Sequence, residues 1–248
     1  MTDPGVVRRI ADITGVGPGD RVVEVGPGLG SLTLALAETG ASVLVVEKDR
    51  RLLPVLAEVL GRVDGAAPVV VQADALDVDW AGLLDGGRWT LAANLPYNVA
   101  VPIIIGVLEG APMVERLVVM VQREVAERLC AQPGGRAIGV PTVKVGWYAG
   151  ARIVMGVPPE VFTPRPRVQS AVVLLERREP PSRTVTPEQV FPLVEQAYRQ
   201  RRKMLRSSLG AVVPVEAFAA AAVAPTCRPE ELSVGRWADL AAAVADTR

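Results

Sequence analysis

The chain has no histidine among its 248 residues, which removes the Ser-His nucleophile, the histidine general base and the histidine-ligated metal centre in one step. Cysteine is almost as scarce. Cys130 and Cys227 stand far apart, too few for a cysteine zinc site or a disulfide framework, and suited to a reducing compartment. No metal is expected. Neither sign of charge is in excess, with 27 Lys+Arg against 27 Asp+Glu, so any nucleic-acid partner must be met by a local patch. Lysine is rare, arginine supplying 24 of the 27 cations, a bias that genome composition explains better than phosphate binding does and that carries no argument here. No apolar run approaches the roughly 20 residues of a membrane span. The start, Met1-Thr2-Asp3-Pro4, has neither the basic nor the apolar part of a signal peptide. A cytoplasmic chain without membrane contact is expected.

What is present is a core. Half of the residues are hydrophobic and 22% are charged, an ordinary globular composition. Val/Leu/Ile-rich runs at 21–25, 42–47, 68–74, 89–94 and 116–122 alternate with helical patterns at 31–39, 49–60, 99–108 and 123–131. Continuous apolar strands between helices predict a doubly wound α/β sheet covered on both faces. Two further runs, 152–157 and 170–177, are joined by a proline-rich stretch with no long helix, as an antiparallel pair closing the sheet would be. Glu179-Pro180-Pro181-Ser182 then breaks the pattern. The expected domains are therefore 1–179, carrying the sheet, and 183–248, a small all-helical domain.

Chemistry concentrates at the ends of the predicted strands. Glu24-Val25-Gly26-Pro27-Gly28-Leu29-Gly30 follows the first strand, where glycines permit a tight turn and let a ligand approach the backbone. Glu47 ends the second strand, placed to accept hydrogen bonds from both hydroxyls of a ribose. A dinucleotide site fits Glu47 equally well, but its fingerprint needs Gly or Ala where this chain has Ser31. The loop resembles instead the S-adenosylmethionine (SAM) loop of methyltransferases. Asp74, followed by Ala75, ends the third strand and could accept the amino hydrogens of an adenine, although an Asp there also serves as a cap or turn residue.

Asn94-Leu95-Pro96-Tyr97 closes the fourth strand. An exocyclic amino group is a poor nucleophile because its lone pair is delocalised into the ring. The Asn94 side-chain oxygen and the Leu95 carbonyl could accept its two N–H groups and favour a pyramidal nitrogen. Pro96 would fix the backbone, and Tyr97 would stack on a base taken out of its helix. Elsewhere in a chain the same four residues are simply a turn.

These motifs, together with Val121-Gln122-Arg123-Glu124-Val125-Ala126, the loop Phe162-Thr163-Pro164-Arg165-Pro166-Arg167-Val168-Gln169-Ser170 and Arg201-Arg202-Lys203-Met204-Leu205-Arg206, resemble the rRNA adenine N6,N6-dimethyltransferase family over nearly the entire chain. The last two resemble its small-subunit (16S rRNA) branch, which dimethylates two adjacent adenosines in the 3′-terminal hairpin during ribosome maturation. The resemblance implies a Rossmann-like class I methyltransferase sheet with a C-terminal helical RNA-binding domain, acting as a monomer on 16S rRNA or its precursor. It implies that Glu24, Gly26, Gly28, Glu47, Asp74, Ala75 and Asn94 bind SAM. It further implies that Asn94, Leu95, Pro96, Tyr97 and Phe162 form the catalytic pocket, and that Arg165, Arg167, Arg201, Arg202, Lys203 and Arg206 contact phosphates. On the residues alone, Phe162 is as well read as a packing anchor and the cationic run as a solvated helix face. The family begins with a basic segment containing Gln-Asn-Phe-Leu that Met1 lies downstream of, and Gln169 replaces its usual Asp. Three alternatives remain: a 23S rRNA methyltransferase of the macrolide-resistance type, a methyltransferase acting on DNA or protein glutamine, and an assembly factor that binds RNA without turnover.

Overall fold

The computed structural model describes residues 3–63 and 65–247; Met1 and Thr2, on which the reading of the chain start falls, lie outside them. Seven strands form one sheet: β1 (Arg21–Val25), β2 (Ser42–Glu47), β3 (Val69–Gln72), β4 (Trp89–Asn94), β5 (Val114–Gln122), β6 (Ala149–Val157) and β7 (Ser170–Arg177). Their order is β3-β2-β1-β4-β5-β7-β6. The β3-β2-β1-β4-β5 part is parallel, and β7 runs antiparallel to β5 with Gln122 opposite Ser170. The strand order reverses at β1, which lies between β2 and β4. In such sheets the crevice for a ligand opens at the carboxyl ends of the strands at this switch point, so Val25 and Asn94 end on the same edge.

The chain divides into two compact units. The first holds the chain up to Ala126 with Gly150–Arg177, the second Glu127–Ala149 with the chain from Arg178 onward. This corrects the expected division at 179–183: residues 127–149, assigned above to the sheet domain, belong to the helical unit. The reason is packing. Val143 and Trp147 of α7 (Val140–Tyr148) share a core with Val190, Phe191 and Val194 of α8 (Pro187–Arg199) and Trp237 of α11 (Val234–Asp246). The Trp147 and Phe191 rings meet edge to face at 6.1 Å.

In the first unit, α1 (Pro4–Thr14) begins on the Asp3 carboxylate, which accepts from the Gly5 and Val6 N–H groups at 2.8 and 3.0 Å. Its Val7, Ile10 and Ala11 pack with Leu32, Ala35 and Leu36 of α2 (Ser31–Ala37) over Val22, Val45 and Ala92 of the sheet. On β7, Arg177 closes the end of α5 (Ala100–Gly110). Its guanidinium donates to the Leu108, Ala111 and Val114 carbonyls at 3.0–3.1 Å, satisfying groups that a helix end leaves without partners. Arg177→Ala is therefore expected to cost about 3 kcal/mol, read as a lower urea midpoint with an unchanged slope. Among the described residues no helix is long and apolar enough to cross a membrane.

Candidate active site

The glycine loop leaves β1 in a conformation open to few side chains. Gly26 and Gly28 adopt φ +67° and +59°, in the left-handed region, and no atom lies within 4 Å of where a Cβ on either would stand. The backbone is thus strained for any other residue and faces open space. That space is a cavity of about 650 Å³ lined by Glu24, Gly26, Pro27, Gly28, Ser31 and Asn94 among others, within the range of small-molecule and cofactor sites. The Gly26 N–H is anchored on the Val46 carbonyl at 3.0 Å, which ties the loop to the neighbouring strand.

Glu24 is the unusual group here. It is the penultimate residue of β1, 1% exposed, and accepts a 2.6 Å hydrogen bond from the buried Thr33 hydroxyl. Burial pushes its carboxyl up to about 8; the Thr33 hydrogen bond opposes this, and the nearby Glu47 charge adds to it. An acid so placed is poised to meet a cation. Glu47, 7% exposed at the end of β2, accepts from the Asp49 N–H at 2.7 Å. Asp74 lies just past β3, hydrogen-bonded by the Lys48 ammonium and by the Leu76 N–H at 3.0 Å. The Lys48 hydrogen bond holds its carboxyl below the usual carboxylate range. Ala75 follows it, buried. Glu47 and Asp74 are on the same sheet edge as the loop, through Glu47 opposite Gln72 in the β2–β3 pair, but neither lines the 650 Å³ cavity.

A second cavity, of about 320 Å³, is lined by Asn94, Leu95, Pro96, Tyr97, Phe162, Pro164 and Pro166. The Asn-Leu-Pro-Tyr turn and the proline-stiffened loop, about 65 residues apart in the chain, thus face one space. Leu95 is buried, its N–H held on the Met120 carbonyl at 3.1 Å, which extends the β4–β5 ladder to the motif and fixes it. Asn94 lines both cavities.

Of the cationic candidates, Arg165 is ion-paired with Glu160 and Arg167 is exposed. In the second unit Arg202, Lys203 and Arg206 are exposed. Arg201 is engaged within its own unit: it donates to the Arg136 carbonyl at 2.7 Å and lies 3.8 Å from the half-buried Glu230 carboxylate. Arg201→Ala is accordingly expected to destabilise the fold and to leave unchanged the salt dependence of the RNA binding that the resemblance implies. Replacing Arg202 and Lys203 together should flatten the slope of log affinity against log salt by roughly 1.5, measured by titration at several KCl concentrations.

Two contributors escaped the sequence pattern. Arg8 of α1 lines the larger cavity, on a helix whose start was signalled by Asp3-Pro4. Ser170, at the start of β7, places its Oγ 3.0 Å from the Tyr97 hydroxyl.

A family model described as "Ribosomal RNA adenine dimethylase" matches residues 1–246. Curated relatives with the name Ribosomal RNA small subunit methyltransferase A include that of Cutibacterium acnes, 48% identical over 98% of this chain and 85% of that protein. The protein of that name from Kineococcus radiotolerans is 46% identical over 98% and 82%. Among solved structures, a dimethyladenosine transferase from Plasmodium falciparum has the same fold at TM-score 0.83, with 21% identity over 97% of this chain and 95% of that one. The 23S rRNA methyltransferase ErmE superposes at TM-score 0.75, with 25% identity over 99% of both chains.

Proposed function

Since the chain belongs to the ribosomal RNA adenine dimethylase family, we propose that it uses SAM to dimethylate N6 of two adjacent adenosines in the 3′-terminal hairpin of 16S rRNA during small-subunit maturation. The observation that carries this reading is the meeting of two cavities at Asn94, one of cofactor size bordered by the glycine loop and one of base size bordered by Tyr97 and Phe162. The small-subunit target is favoured over a 23S target by relatives 43–48% identical with the small-subunit name, against 25% for ErmE.

The residues fit SAM: a cradle without side chains at Gly26 and Gly28, and a buried carboxyl beside it. In this reading Glu24, Gly26 and Gly28 hold the amino-acid part, Glu47 the ribose, and Asp74 with Ala75 the adenine. When bound, SAM supplies a methyl group on a positively charged sulfur. The chain's own contribution is to the acceptor. The Asn94 oxygen and the Leu95 carbonyl accept the two amino hydrogens and turn the nitrogen lone pair toward the cofactor side, Pro96 fixes that carbonyl, and Tyr97 and Phe162 grip the base. The methylated nitrogen is acidic and loses its proton without a dedicated base, which suits a chain with no histidine.

Phosphate contacts are assigned to Arg165, Arg167, Arg202, Lys203 and Arg206, with Arg201 shaping the patch. The second unit has thirteen Lys and Arg against nine Asp and Glu, the first fourteen against eighteen, a separation that favours RNA on the helical unit. The chain acts as a cytoplasmic monomer in this reading. The test is methyl transfer to small-subunit particles that lack the modification and, in parallel, to unmodified large-subunit particles, followed by nucleoside mass spectrometry of each rRNA. Dimethyladenosine confined to 16S rRNA is expected. Transfer to 23S rRNA alone would overturn the small-subunit assignment, and absence of transfer with RNA still bound would favour an assembly factor.

A further inference from the structure

We propose that Ser170 is a positioning residue for the base pocket: its hydroxyl holds the Tyr97 ring at the angle at which it stacks on the target base. The proposal rests on the reading of Tyr97 as a wall of that pocket. Three observations carry it. Ser170 is 1% exposed, so its hydroxyl needs an internal partner, and that partner is the Tyr97 hydroxyl at 3.0 Å. Ser170 stands opposite Gln122 at the end of the β5–β7 ladder, so the anchoring atom sits on rigid sheet. Tyr97, by contrast, is a half-buried residue of a turn, and its ring has two torsions to fix. Finally, Ser170 ends the segment whose other end is Phe162, and Phe162 and Tyr97 line the same 320 Å³ cavity.

One hydrogen bond therefore spans from the loop that carries the first aromatic wall to the ring that forms the second. A pocket that must grip an unstacked base gains from walls set beforehand, because ordering a ring on binding costs part of the binding energy. A phenylalanine at position 97 could stack as well but would lack the tether.

Single-turnover transfer to unmodified small-subunit particles, with SAM affinity measured alongside, tests this. Ser170→Ala and Tyr97→Phe are each expected to slow transfer roughly three- to tenfold, with SAM affinity unchanged. The double variant should be no slower than either single one, since both remove the same bond. Ser170→Thr should restore the rate. Additive losses in the double variant would overturn the proposal, as they would show Ser170 acting through the sheet and not through Tyr97. Wild-type rates for Ser170→Ala and Tyr97→Phe would overturn it while Tyr97→Ala, which removes the ring, still loses activity and upholds the pocket. Wild-type transfer by Tyr97→Ala would instead overturn the reading of the pocket itself. Should Ser170→Ala not fold, Tyr97→Phe decides alone: slowed transfer supports the tether and an unchanged rate overturns it.

Discussion

Asn94→Ala is expected to lower the turnover of methyl transfer by roughly 10²–10³-fold, with little change in RNA affinity. The argument starts from position. Asn94 ends β4 opposite Met120 in the ladder, and the next residue continues that ladder through the Leu95 N–H, so the side chain is displayed from a fixed backbone. It lines both cavities, so in the proposed reading the cofactor methyl and the base nitrogen meet at its side chain. A hydrogen bond made to the nitrogen as it pyramidalises is stronger in the transition state than in the bound substrate, so its loss falls on turnover and not on binding. A structural role would show differently. Asn94 is half-buried at a strand end, and a packing defect there would lower thermal stability and RNA affinity with the rate. The measurement is methyl incorporation into unmodified particles under saturating SAM, with RNA affinity determined in parallel. Turnover within threefold of wild type would return the Asn-Leu-Pro-Tyr segment to an ordinary turn.

How much of this was legible beforehand depended on whether the signal was local. β1, β2, β4 and β7 begin and end where the apolar runs do, because strands buried on both faces write continuous Val/Leu/Ile into the sequence. The glycine loop, Asn94 and Tyr97 were legible for the same reason, since strand ends locate them. α7 carries no such local signal. Val140, Thr142, Val143 and Val145 are β-branched and disfavour helix by propensity, and they are helical because Val143, Val145 and Trp147 are buried in the second unit. That same packing made the domain boundary illegible, as the second unit is built from two stretches that the sheet strands β6 and β7 separate. α1 has local signals that a search for apolar strands and their connecting helices passes by: the Asp3-Pro4 start, the 7-10-11-14 spacing of its buried face and Gly15 at φ +69° as its stop. The consequence for the site is Arg8. The engagement of Arg201 with Glu230 and Arg136 and the Ser170–Tyr97 hydrogen bond join residues 29 to 73 positions apart. No periodicity or motif encodes such pairs.

SAM affinity is expected to rise with pH up to about 8, and Glu24 is the reason. The chain has no histidine, so the residue type that ordinarily titrates near neutrality is missing. Burial instead brings the Glu24 carboxyl to about 8. Its sign follows from proton counting. The unfolded chain loses this proton near 4.5, whereas the folded chain keeps it to about 8. In between, the folded state binds more protons, so this group makes stability fall as pH rises through that window, and the loss is complete above 8. Glu24→Gln keeps an acceptor for the Thr33 hydroxyl without the buried charge. It should therefore be more stable than wild type at pH 8.5, by an amount on the order of a few kcal/mol, and equal to it near pH 4. What destabilises the free protein serves the bound one. A cationic amino-acid group placed beside Glu24 favours the ionised carboxylate, so binding below pH 8 must expel a proton. Between pH 6 and 8 the ionised fraction rises by up to roughly 50-fold, and SAM affinity should rise by as much as that. Calorimetry in buffers of different ionisation enthalpy reads the released proton directly, and Glu24→Gln should show weaker binding with neither the release nor the slope. A wild-type affinity flat from pH 6 to 8 would overturn the coupling of Glu24 ionisation to cofactor binding, and would leave its buried carboxyl the Thr33 hydrogen bond and the packing of β1 against α2.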